Sequence, residues 1–287
     1  MNKKKLLMGV VALGALVSCT QQQAFDANKS IAIVVREDGS GTKGAFLEIL
    51  GLKGAKDPTG AITANSTSAV LTKVATNPYA IAYDSLGYVD DSVKKVKVDG
   101  VDATSDTIKN GTYALSRPLN VIYKAETVTD PVYKDYLEYL GSKEVQDLAA
   151  KEGYVSILDQ VTEYNTPEFA DAKTISISGS TSLQPLMTKI ATKYMAHQKN
   201  IRVEVSGGGS GTGYNNAENG ISNFGMISEE FNSKKAASCT PFTVCKDGIA
   251  LIVNLKNPVV TISKKDLSTI YNPNAEAPIT SWSKLIA

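Results

Sequence analysis

Three short runs of glycine and hydroxyl residues carry the chemistry this sequence offers: Gly39-Ser40-Gly41-Thr42, Gly179-Ser180-Thr181-Ser182 and Gly209-Ser210-Gly211-Thr212. Glycine lets consecutive backbone N–H groups converge on one point, and each hydroxyl adds a donor that can rotate. A helix that starts just after such a run contributes orphan N–H groups and a partial positive charge. These are the parts of an anion cradle. Arg36, just before the first run, can add a fixed charge and a planar fork of donors.

The flanking residues must supply the scaffold. Residues 31–35 are apolar and rich in β-branched side chains, which predicts a strand buried on both faces; Ala45, Phe46, Ile49 and Leu50 then follow at helical spacing. The same strand–turn–helix unit recurs at 174–178, with Leu183, Leu186, Met187, Ile190, Ala191 and Tyr194 as the apolar helix face. It recurs again at 201–205, where the glycine run 207–213 leads into a short helix and a strand over 223–228. Other segments read as a helix over 69–76, a strand over 81–83, a helix opened by Asp130-Pro131 and a helix over 142–151. Lys94, Lys95 and Lys97, interleaved with valines, read as the wet side of an edge strand. Alternating strands and helices predict an α/β fold with mostly parallel sheets, whose ligands sit beyond the strand C-termini, where the glycine turns lie.

The N-terminus reads as a processing signal over residues 1–18: three lysines, then twelve apolar residues from 6 to 17. Such a run is too short for a bilayer core of about 30 Å. Leu16-Val17-Ser18-Cys19 resembles a bacterial lipobox, which implies lipidation of Cys19 and a polar tether over 19–25. Loss of the signal takes the formal charge from +1 to −2, and no basic patch remains to suggest nucleic acid. Cys239 and Cys245 fit a disulfide in an exported chain or a free buried pair, and both readings stay open. With one histidine, His197, and no Cys/His cluster, no zinc site is expected.

An enzyme is not expected either, nor a cofactor. Gly39 to Gly44 fit G-x-G-x-x-G, but the Gly/Pro-broken stretch 51–60 offers no second strand ending in the acidic residue a dinucleotide site needs. Ala45 stands where a P-loop needs lysine, and no G-x-S-x-G is present. No metal cluster or activated nucleophile suggests itself.

Several stretches resemble the phosphate-binding protein of the bacterial high-affinity phosphate ABC transporter, the PstS family. Residues 175–186 (ISISGSTSLQPL) and 203–213 (VEVSGGGSGTG) are similar to that family's opening. Residues 35–42 (VREDGSGT), 77–83 (NPYAIAY), 113–119 (YALSRPL) and 151–155 (KEGYV) are similar to its middle and end. The order is rotated: family members begin with the segment found here after Lys173, and reach the Arg36 segment only after a stretch like Ser281-Trp282-Ser283. The resemblance thus implies an α/β two-lobe periplasmic-binding-protein type II fold with hinge strands in circularly permuted order, the ancestral ends joined across 158–173.

Lobe I would be 113–260 and lobe II 26–112 plus 261–287, with crossings near 113–118 and 254–260. The implied phosphate ligands are Arg36, Ser40, Gly41, Thr42, Thr181, Ser182 and Ser210. Ser228 stands where some members place an aspartate that accepts the proton of the anion, and Asp38 would partner Arg36 or share that role. The implied partners are inorganic phosphate, the permease subunits of an ABC importer and a membrane reached through the lipid anchor, for a monomer outside the cytoplasm. The same fold binding sulfate or molybdate, or a surface adhesin lipoprotein, is the alternative.

Overall fold

The first apolar run forms strand β1 (Ala32–Arg36), and the Ser40 side chain caps the helix that follows, α1 (Gly41–Ile49), by accepting from the Lys43 N–H. The structure, a computed structural model, describes residues 24–157 and 161–286. The signal segment and Cys19 lie outside the described residues. In chain order there follow β2 (Ile62–Ala64), α2 (Thr67–Thr76), β3 (Ala80–Ser85), β4 (Lys94–Val98), α3 (Ser105–Lys109), β5 (Ser116–Lys124), α4 (Pro131–Leu140) and α5 (Lys143–Lys151). The second half contains β6 (Lys173–Gly179), α6 (Gln184–His197), β7 (Ile201–Ser206), α7 (Ser210–Glu218), β8 (Phe224–Ile227), β9 (Cys239–Val253), β10 (Thr261–Ile262) and α8 (Lys264–Tyr271).

The sheet path runs β2-β1-β3-β9-β5-β8-β6-β7. Each end is parallel, β2-β1-β3 on one side and β8-β6-β7 on the other, and the long β5 and β9 cross the middle antiparallel to each other. β4 is not an edge strand, contrary to the reading of its lysines: β9 pairs it on one side and β10 on the other. Val96 and Val98 are buried while Lys95 and Lys97 stay in water, so the alternation was sound and only the pairing was missed.

Two cores flank the middle strands. One gathers β1, β3, α1 and α8 around Phe46, Tyr83, Tyr271 and Trp282, with Ile249 to Val253 of β9. The Phe46 and Tyr83 rings stack at 3.9 Å, and Tyr271 meets both edge-on. The other gathers β6, α4, α5 and α6 around Tyr136, Tyr139, Tyr194 and Phe224, with Val244 and Cys245 of β9. β9 therefore changes core between Cys245 and Ile249, and β5 enters beside it at Ser116. The crossing expected near 254–260 thus lies earlier: β9 continues unbroken to Val253 inside the first core, so 260/261 does not divide the packing.

Both cysteines are free, which decides between the two readings left open. They lie six residues apart on β9, and a strand rises about 3.3 Å per residue, so a Cα separation below about 7 Å is out of reach. They also belong to different hydrophobic clusters.

Candidate functional site

All three glycine–hydroxyl runs meet at the ends of parallel strands. β1 ends at Arg36, Gly39 turns the chain with φ +83°, and Gly41 and Thr42 form the first turn of α1. β6 ends at Gly179, with Thr181 and Ser182 in the turn leading to α6. β7 ends at Ser206, and Gly209, at φ +85°, opens α7 with Ser210 as its first residue. Left-handed φ values at these turns restrict them to glycine. The result points the N-terminal ends of α1 and α7, from opposite cores, at one place.

The side chains form two hydrogen-bonded groups, one holding Thr42 and one holding Ser210, with Gly41 against the second. The Thr42 and Ser182 hydroxyls are 3.0 Å apart, and Thr67, first residue of α2, lies 3.0 Å from the Thr181 hydroxyl. The Ser210 hydroxyl accepts from the Ser228 N–H at 3.0 Å and lies 3.2 Å from the Ser228 hydroxyl. Gly41 packs against that pair so tightly that a Cβ there would stand 2.3 Å from Ser210 Oγ. Arg36, Ser40, Thr42, Thr67, Ser182, Ser210 and Ser228 are all buried. The Ser40 N–H donates to the Glu37 carbonyl, its own carbonyl accepts from the Gly44 N–H, and its hydroxyl accepts as the helix cap, so the hydroxyl hydrogen is what it has left to donate.

Arg36 sets the electrostatics. Its Nε and Nη2 donate to the two carboxylate oxygens of Glu37 at 2.8 Å each, and Nη2 also donates to Thr181 Oγ1 at 3.2 Å. Its backbone N–H donates to the Tyr83 hydroxyl. Nη1 is buried without a partner. A buried guanidinium nitrogen left unserved costs free energy, and an anion oxygen is the group that would relieve it. Because Glu37 already balances the arginine charge, a bound anion would be held by hydroxyls, backbone N–H groups and helix ends as much as by net positive charge.

Asp38 does not partner Arg36. The turn at Gly39 sends it outward, where its side chain is 99% exposed and pairs with Lys43 Nζ at 2.8 Å. The hydrogen bond and charge of Lys43 hold its carboxyl below the usual range. Glu37, one residue earlier, takes the role assigned to it. Glu37 and Thr67 are the contributors that the sequence reading missed. The signal for Thr67 was the hydroxyl triplet Ser66-Thr67-Ser68 at the start of α2, where Ser66 caps the helix. Among the described residues, no group of three or more His, Cys, Asp and Glu is placed to hold a metal.

The profile of the PBP superfamily domain matches residues 7–144 and 165–287. "Phosphate-binding protein PstS 2" of Streptococcus agalactiae is 38% identical, with 99% of each chain covered. "Phosphate-binding protein PstS" of Bacillus subtilis is 31% identical over 134 residues, 46% of this chain and 43% of that one. The crystal structure of a phosphate ABC transporter phosphate-binding protein from Streptococcus pneumoniae superposes with a TM-score of 0.70 at 30% identity, covering 90% of this chain and 100% of that one. With one relative matched end to end and a shared fold, the chain belongs to the PstS family of the PBP superfamily.

Proposed function

We propose that this protein captures inorganic phosphate between its two lobes, outside the cytoplasm, and presents it to the permease subunits of an ABC importer. The observation that carries the reading is the buried, unpartnered Nη1 of Arg36, on a side chain whose Nη2 already reaches Thr181 from the other core. Ligands of this anion would be Arg36, Gly41, Thr42, Thr181, Ser182, Ser210 and Ser228, with Ser40, through its hydroxyl hydrogen, and Thr67 added. The names of the relatives support phosphate as the anion. No catalytic role is assigned to any residue.

Calorimetric titration of ligand-stripped protein with phosphate, sulfate and molybdate tests this. Tight phosphate binding that excess sulfate leaves unchanged is the expected result. Preference for sulfate or molybdate would reassign the anion, and silence for all three would leave the adhesin reading.

The chain would be anchored as a monomer through lipid on Cys19, with 19–25 as tether. Its lobes would be 26–112 with the C-terminal residues, and the stretch beginning at 113. The order would be circularly permuted relative to other family members. Two observations support that. The B. subtilis relative aligns over less than half its length, whereas the S. agalactiae one aligns throughout. Moreover, Ser281 bridges to Ser30, and the Ser283 N–H donates to the Ala27 carbonyl, so the stretch around Trp282 lies beside the start of β1, where an unrotated chain would run continuously.

A further inference from the structure

Outside the ligand set, two buried ionisable side chains meet at the strand crossing. Arg117 of β5 and Asp247 of β9 are cross-strand partners, 1% and 0% exposed, joined by Arg117 Nη2 and Asp247 Oδ2 at 3.0 Å. The other terminal nitrogen, Nη1, donates to the carbonyl of Ser228 at 3.1 Å. Asp247 Oδ1 and the Ser85 hydroxyl of β3 are each buried without a hydrogen bond. Such a cluster is expensive to bury, and its members are not needed to fill either core.

Ser228 explains why a donor is required there. It lies one residue beyond Ile227, the last position of β8 paired with β5, so the ladder no longer holds its backbone. Its N–H is taken by Ser210 Oγ, which spends a lone pair of Ser210 and leaves the Ser210 hydrogen to be donated elsewhere. The acceptor capacity at this corner of the site therefore rests on Ser228 Oγ, and its direction rests on the Ser228 peptide. Arg117 Nη1 holds the Ser228 carbonyl, so both backbone polar groups of Ser228 are fixed.

We propose that Arg117 is a positioning residue for anion discrimination: one arm fixes the Ser228 peptide while Asp247, at the strand crossing, fixes the other. This rests on the reading of the cleft as a phosphate site. Phosphate near neutral pH carries a proton that needs an acceptor and sulfate carries none, so a misdirected Ser228 hydroxyl weakens phosphate more than sulfate. The pair also links the site to the segment about which the lobes would turn.

The test is calorimetry of phosphate and sulfate binding with wild type, Arg117→Lys and Asp247→Asn, alongside thermal melting of each ligand-free protein. Asp247→Asn keeps the shape of the side chain and decides the matter if Arg117→Lys does not fold. The expected result is a loss of about tenfold or more in phosphate affinity, corresponding to about 1.4 kcal/mol, with a smaller loss for sulfate, so the ratio of the two falls. Unchanged phosphate affinity and ratio in folded Asp247→Asn, whatever its melting point, would make the pair purely structural and overturn the proposal. Wild-type protein that fails to bind phosphate would instead overturn the reading of the site itself, and this proposal with it.

Discussion

The backbone N–H of Gly211 donates to the carbonyl oxygen of Gly39 at 2.9 Å. The two copies of Gly-Ser-Gly-Thr, one from each core, are thus in direct contact across the cleft. In this closed arrangement the hydroxyl of Thr42 pairs with that of Ser182, Thr181 with Thr67, and Ser210 with Ser228.

Closure of this kind is sensitive to one methyl group. A Cβ at position 41 would stand 2.3 Å from Ser210 Oγ and 2.9 Å from Ser228 Oγ, across the cleft. Gly41→Ala is expected to weaken phosphate binding by about 2 kcal/mol or more, an overpacking cost. The melting temperature of the ligand-free protein is expected to change little, since the three atoms nearest that methyl group all belong to Ser210 and Ser228 and would move away as the cleft opens. Calorimetry with differential scanning fluorimetry checks both; affinity equal to wild type would mean that Gly41 does not approach Ser210 when the ligand is bound.

Arg36→Ala removes a cation whose terminal nitrogen is left free for the anion, and leaves Glu37 facing the site without its partner charge. Both changes oppose anion binding. The expected loss is about 2–5 kcal/mol of binding free energy, roughly thirtyfold to several-thousandfold in affinity. The circular dichroism spectrum is expected to stay native, because the β1 backbone pairing does not depend on the side chain. Retained micromolar or tighter phosphate binding would refute the assignment of Arg36.

How legible this was depends on the range of the interactions involved. The strand–turn–helix units around Gly39, Gly179 and Gly209 were readable because apolar periodicity and glycine turns are local. Their convergence was not local: Arg36 and Thr181 are 145 residues apart in sequence, and only the resemblance joined them. Glu37 was overlooked because two acidic residues follow Arg36, and the choice between them depends on which way the chain leaves Gly39. The Arg117–Asp247 clamp was not readable because Lys246-Asp247-Gly248 has the composition of a turn, and nothing local tells that it runs on as strand and faces Arg117 of β5 where β9 changes core.

The thiols offer a separate check. Burial pushes the Cys239 thiol up to about 11, with the nearby Glu218 adding to the shift, and burial raises the Cys245 thiol still more clearly. A thiol needs its thiolate to react, so both are expected to resist alkylation in the folded protein at neutral pH. In a Cys19→Ser variant, iodoacetamide labelling is expected to add two adducts in denaturant without reductant and almost none before unfolding. Absence of labelling in denaturant until reductant is added would reveal a bond between Cys239 and Cys245, which the strand geometry opposes.

Asp84, beside the clamp, gives stability a dependence on pH. It is fully buried on β3, with Oδ1 accepting from the Ser85 N–H and Oδ2 unpartnered. Burial pushes its carboxyl well above the usual range, opposed by the Ser85 N–H and by the charges of Arg36 and Arg117, while the Asp247 charge adds to the rise. A carboxyl whose folded pKa is raised favours the folded state in its protonated form. That contribution is full below the unfolded value, about 3.9, and is lost as pH climbs toward the folded value. Asp84→Asn keeps an oxygen for the Ser85 N–H and cannot ionise, so it escapes the loss. The variant is expected to melt close to wild type near pH 4 and above it at pH 7, by about 1–3 kcal/mol, the usual cost of an unsatisfied buried polar group. Melting curves of both proteins in parallel across that range provide the measurement. A difference that stays flat with pH would mean that Arg36 and Arg117 together hold Asp84 ionised in the folded protein.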